Sequence, residues 1–79
     1  MINEEKIKAE VFDRLIAHLQ TSTKLQNIDL MDLAGFCRNC LAKWYMEASV
    51  NHATPIEYEV ARQVIYGMPY DDWKKKYQK

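Results

Sequence analysis

Little in this chain breaks a helix. It holds two glycines and two prolines in 79 residues, and no stretch alternates apolar with polar residues long enough to make a strand. An excess of charge of one sign is also lacking. Eleven Lys plus Arg balance eleven Asp plus Glu, so no long-range field draws the chain onto nucleic acid or an anionic membrane surface. No apolar run approaches the roughly 20 residues that span a bilayer. The opening Met1-Ile2-Asn3-Glu4-Glu5-Lys6 has no basic stretch leading into an apolar core, so the expectation is that it is kept rather than cleaved as a signal. Only two cysteines occur, and without a secretory signal they are expected to stay thiols in a reducing cytoplasm. There is no Gly-rich phosphate loop, no nucleophile with a base and acid in sequence context, and no paired-carboxylate signature. The residues name neither a reaction nor a cofactor.

What is present is helical periodicity over the length of one small domain, which buries roughly 60 to 65% of its unfolded surface. Ile7, Val11, Leu15 and Leu19 recur at i+4 steps, widened by Phe12 and Ile16, behind Asn3 as N-cap and Glu4 and Glu5 in the first turn. This predicts a first helix over residues 4 to 20. Asp29 and Asp32 mark the start of a second, long helix over 29 to 49. At 100° per residue its face centres on Leu30, Ala34, Cys37, Leu41 and Ala48, flanked by Leu33, Cys40, Trp44 and Tyr45. Gly35 falls inside it at a cost of about 1 kcal/mol relative to Ala, a place for another backbone to approach. Thr54-Pro55-Ile56-Glu57 reads as a capping box with proline at the first helical position. The third helix it opens carries Ile56, Val60, Ala61, Val64 and Ile65 and stops at Gly67 and Pro69. A last helix places Tyr70, Trp73 and Tyr77 on one face, with Asp71 and Asp72 early and Lys74, Lys75 and Lys76 late, the order that suits the helix dipole. The expected fold is an all-α, four-helix single domain with a long central second helix. The lysine run reads as a solvated helix end rather than a basic patch for nucleic acid.

Chemistry concentrates in Cys37-Arg38-Asn39-Cys40, a C-x-x-C motif. Three readings compete. A redox pair wants the helix N-terminus, whose dipole favours a thiolate, whereas this pair is expected two turns inside a helix. A metal site needs more ligands, and His18 and His52 would bring the count to four only if three segments converge or a second chain contributes. Free cysteines are often small buried apolar residues, and burial is the expected role here. Arg38 reads as a surface charge, or as an ion-pair or anion contact beside the thiols. His18 reads as a boundary residue of the first helix and His52 as a solvated loop residue.

The block Asn27-Ile28-Asp29-Leu30-Met31-Asp32-Leu33-Ala34-Gly35-Phe36-Cys37-Arg38-Asn39-Cys40-Leu41-Ala42-Lys43-Trp44-Tyr45 resembles a family of short bacterial all-helical proteins of unknown function. The resemblance continues at Val64-Ile65-Tyr66-Gly67-Met68-Pro69-Tyr70 and Trp73-Lys74. It implies a small helical fold without an assigned activity. Because the shared block includes Gly35, Arg38, Asn39 and Lys43, which core packing alone would not require, it also implies a binding site at Cys37, Arg38, Asn39 and Cys40.

The expected function is a small cytosolic interaction or regulatory module acting through the surface around residues 35 to 45. A homodimer is expected, because two Trp, five Tyr and two Phe offer more apolar stripe than one small core hides; a further protein partner is open. The alternative is a metal-binding or thiol-redox protein using Cys37 and Cys40. A third reading, an enzyme at a dimer interface using Arg38 and a carboxylate, has no catalytic signature behind it.

Overall fold

In the computed structural model, which describes residues 3–79, the first helix forms where its periodicity and acidic first turn place it, as α1 (Glu4–Thr21). Its last turn closes on one carbonyl. Thr21 Oγ1 and Ser22 Oγ each donate to His18 O at 2.9 Å, and the Ser22 N–H joins them. Only Ile16 and Leu19 of α1 are buried, with Phe12 packed against the core and stacked on Tyr45 at 6.2 Å. The earlier stripe residues Ile7, Val11 and Leu15 are exposed.

The expected long second helix is two helices. Gly35 adopts φ +79° and caps the end of α2 (Asn27–Ala34), its N–H bonded to Met31 O at 3.0 Å. Chain direction then changes through Phe36, and α3 (Arg38–Asn51) begins with Cys37 as its extended N-cap. The fold therefore has five helices among the described residues, not four. The misreading has a physical cause: apolar residues fall in step on both sides of the break by coincidence, and the 100° rule carries no meaning across a left-handed residue. With the register reset, Leu33, Ala34, Trp44 and Ala48 are exposed, while Leu30, Leu41 and Ala42 are buried. Asp29 is the third helical residue of α2 rather than its cap. Its carboxylate accepts from the Gln26 N–H at 3.0 Å, which satisfies one backbone donor ahead of the helix.

The Thr54 capping box does not form either. The chain runs from Thr54 to Glu57 against the end of α3: the Thr54 N–H donates to Ser49 O at 2.8 Å and the Ile56 N–H to Ser49 Oγ at 3.0 Å. Ser49, buried for this purpose, holds the segment out of helical form. α4 (Tyr58–Tyr66) starts after the extended N-cap Glu57 and ends at Gly67, φ +74°. The stop at Gly67 and Pro69 and the closing helix α5 (Tyr70–Tyr77) agree with the sequence reading.

Helices α3 and α4 pack most extensively, and α1 and α5 each lie against α4. The core joins Ile16 and Leu19 to Leu30, Leu41, Ala42, Ala61 and Ile65. A second, aromatic layer has Trp73 at its centre, 5.0 Å from Tyr66 and 5.8 Å from Tyr77 between ring centroids. Arg62 ties α4 to α5 by lying over Tyr58 at 4.6 Å and Tyr70 at 4.0 Å while pairing with Glu59. Among the described residues, no helix is long and apolar enough to cross a membrane.

The two left-handed glycines differ in their surroundings. A Cβ at Gly35 would meet nothing within 4 Å, whereas one at Gly67 would fall 2.9 Å from Gln20 Cδ. The Gln20 amide is engaged there, donating to Val64 O and Ile65 O at 3.3 and 3.2 Å. Gly35→Ala is therefore expected to cost about 1 to 2 kcal/mol, the left-handed penalty alone. Gly67→Ala adds a displaced hydrogen bond and is expected to cost about 1 kcal/mol more. Urea denaturation of the two variants measures both, and equal losses would show that Gln20 yields freely.

Candidate functional site

The break at Gly35 moves the C-x-x-C motif from the expected helix interior to a helix start. Cys37 is the N-cap of α3, with φ −136° and ψ −179°, and Cys40 is the third helical residue. An N-cap side chain in extended backbone folds over the first turn, and the two sulfurs meet at 3.6 Å. Both cysteines are free and half-buried, so neither is the fully buried apolar residue expected from the sequence. The placement that counted against a redox pair is gone, although among the described residues no strand precedes the motif.

Arg38 turns the other way, into the protein. It is 1% exposed, far from the surface position expected of it. Its Nη1 donates to Leu25 O at 2.7 Å and Asn27 Oδ1 at 3.1 Å, and Nη2 to Ser22 O at 3.0 Å and Leu19 O at 3.3 Å. Trp73 covers one face of the guanidinium at 4.9 Å. All four acceptors are neutral oxygens. Leu19 O and Ser22 O lie at the C-terminus of α1, the negative end of its dipole, which offers the charge part of what a carboxylate would otherwise supply; Leu25 O is in the following loop and Asn27 opens α2. Burial lowers the Arg38 pKa from its usual value, and nearby Tyr66 and Cys37 act against that shift.

Asn39 is half-buried, not on an outer face, and accepts the Tyr66 hydroxyl on Oδ1 at 2.8 Å. Asn27 Nδ2 donates to the same hydroxyl at 3.0 Å, and Asn27 Oδ1 also accepts the Arg38 N–H at 3.3 Å. Asn27, Arg38, Asn39 and Tyr66 thus form one network. Tyr66 is 2% exposed, and burial pushes its pKa up to about 12, against the opposing effect of the Asn27 hydrogen bond. Beside this network lies an open cavity of about 380 Å³, lined by Gln26, Asn27, Ile28, Asn39, Tyr70, Trp73, Gln78 and Lys79. Gln26 spans its rim, with Nε2 donating to Tyr77 O at 2.9 Å and Oε1 accepting the Lys79 N–H at 3.1 Å.

The four residues picked from the sequence therefore divide into two thiols at the surface and two side chains directed into the structure. Asn27, Tyr66 and Trp73 complete the inner network and were not picked. Asn27 and Trp73 stand in the shared blocks, but Asn27 and Tyr66 are 39 residues apart, and spacing alone does not join them. His18 and His52 are exposed, and no three His, Cys, Asp or Glu side chains among the described residues are grouped to hold a metal ion. The four-ligand set of His18, Cys37, Cys40 and His52 does not assemble within the chain.

A family model described as "Protein of unknown function (DUF1244)" matches residues 25–79, more than half of the chain. No curated protein matches it.

Replacing Arg38 removes four hydrogen bonds at once, although Leu19 O, Ser22 O and Asn27 Oδ1 each keep a backbone N–H. Arg38→Met is expected to cost about 3 kcal/mol or more, and Arg38→Lys to recover little, because an ammonium lacks the planar fork that reaches separated oxygens. Chemical denaturation tests this, and a Lys variant as stable as wild type would contradict it. Tyr66 gives a pH signature. Its proton is held more tightly folded than unfolded, so between the ordinary pKa of 10 and about 12 the unfolded chain loses it first. Stability falls as pH rises through that window, by about 2 kcal/mol. Denaturation of wild type and Tyr66→Phe from pH 8 to 11.5 should show a steeper decline for wild type; parallel curves would refute it.

Proposed function

The chain belongs to the DUF1244 family, and from that premise we propose that it is a cytoplasmic helical interaction module. Its working surface is the shoulder around residues 35 to 45, and its partner is a second copy of itself. The observation that carries this reading is the exposure of Leu33 at 85% and Trp44 at 54%, with half-buried Phe36 against Trp44 at 6.0 Å between ring centroids. These side chains flank the turn at Gly35 and form an apolar patch on the order of 300 Å², the size that marks contact surfaces on small proteins.

A second copy is favoured by area. Among the described residues, nine hydrophobic ones are buried in the core, while ten large ones are exposed. Those ten expose on the order of 900 Å², comparable to the roughly 800 Å² each partner contributes to a standard interface. The α1 stripe of Ile7, Val11 and Leu15 is a second uncovered set. A two-fold contact uses every patch twice and needs no other protein. Two free cysteines suit a reducing compartment.

Light scattering on the eluting chain at about 100 μM should give twice the 9.4 kDa chain mass. Leu33→Asp with Trp44→Ser should return it to the single-chain mass with its helical circular dichroism intact. A wild-type protein that stays at the single-chain mass overturns the self-association, and a dimer indifferent to both substitutions moves the interface away from the shoulder.

A further inference from the structure

Two thiols meet at the start of α3. Arg38 and Asn39, the two residues between the cysteines, both turn inward to the Leu19, Leu25, Asn27 and Tyr66 network. Cys37 and Cys40 lie side by side at this first turn, each half-buried and Cys37 packed against the core, with sulfurs 3.6 Å apart. A disulfide needs about 2.05 Å between sulfurs, so roughly 1.5 Å of approach closes the bond. Cys37 can supply that movement, since it follows the turn at Gly35 in extended backbone and is held to α3 through its carbonyl, which accepts the Leu41 N–H at 3.1 Å. A helix N-terminus favours a thiolate.

We propose that Cys37 and Cys40 form a reversible dithiol–disulfide couple that exchanges with low-molecular-weight disulfides of the glutathione type. Cys37 is the attacking thiol and Cys40 the resolving one. The Cys37 thiolate, its proton released to water, attacks one sulfur of the small disulfide; the S–S bond of that molecule breaks and one thiolate leaves with the electron pair. The Cys40 thiolate then attacks Cys37 Sγ in the mixed disulfide and displaces the second thiolate. Two protein thiols are oxidised by two electrons, one small disulfide is reduced to two thiols, and the two protons lost by the cysteines end on those products. This inference does not rest on self-association, because both sulfurs belong to one chain.

The test equilibrates the full-length chain with glutathione at graded ratios of oxidised to reduced form, quenches with acid, alkylates the free thiols and weighs the protein. The expected result is one transition to a single-chain species lacking two hydrogens and carrying no alkyl group, reversed by reduced glutathione. Cys40→Ser should accumulate the mixed disulfide with one glutathionyl group, at least tenfold above Cys37→Ser. Circular dichroism confirms that each variant is folded. The proposal is overturned if native wild type keeps both thiols at every ratio and forms the bond only in denaturant. It is equally overturned if oxidation gives only chain-to-chain disulfides, while the assignment of roles is reversed if Cys37→Ser is the variant that traps glutathione.

Discussion

A guanidinium buried without a carboxylate is the constraint from which the rest of this fold follows. Removing a charge from water costs several kcal/mol even after relaxation, and Arg38 recovers that cost from four neutral oxygens and the face of Trp73. Charge-assisted hydrogen bonds are worth roughly twice their neutral counterparts, and here they reach the end of α1, the loop after it and the first residue of α2. One side chain therefore joins the start of α3, the end of α1, the loop at Leu25 and the centre of α5. For it to point inward at that position, α3 must begin at Arg38, and for that the chain must turn at Gly35.

The same device recurs elsewhere. Gln20 from α1 caps the last carbonyls of α4, and Gln26 caps the end of α5 at Tyr77. Three helix C-termini are thus closed by side chains from distant segments. A chain of this size cannot bury enough apolar surface to be rigid through its core alone. Polar side chains that satisfy helix ends supply fixed geometry at little cost in volume. This division of labour also explains why so many large apolar residues remain outside: the helices are held by their ends, and their outer faces are left free.

Local signals in the sequence carried the fold as far as they were local. The acidic first turn and i+4 stripe give α1 to within one residue, and Gly67 with Pro69 marks the end of α4. Gly35 has the same left-handed role as Gly67, yet it reads as an interior glycine because no proline follows and Cys37, Leu41 and Trp44 continue an apolar period. Thr54-Pro55-Ile56-Glu57 has the composition of a capping box, but Ser49 outcompetes the helix for its backbone donors. The site was half legible. Cys37 and Cys40 stand out as residue types, whereas the inward turn of Arg38 is set by oxygens 11 to 19 residues away, and no spacing rule reaches them.

The turn at Gly35 has three consequences at once. It ends α2 beside the exposed Leu33; it makes Cys37 the N-cap of α3; and it sends Arg38 into the core one residue later. Adjacent residues therefore hold the most reactive and the most deeply engaged side chains of the chain. A change in the covalent state of Cys37 would act on the backbone that directs Arg38, and through Arg38 on the closing turn of α1. The apolar shoulder and the thiol pair share the same hinge of backbone. The segment that carries both is anchored by the buried Arg38 charge, whose bonds to Leu19 O and Ser22 O reach the closing turn of α1.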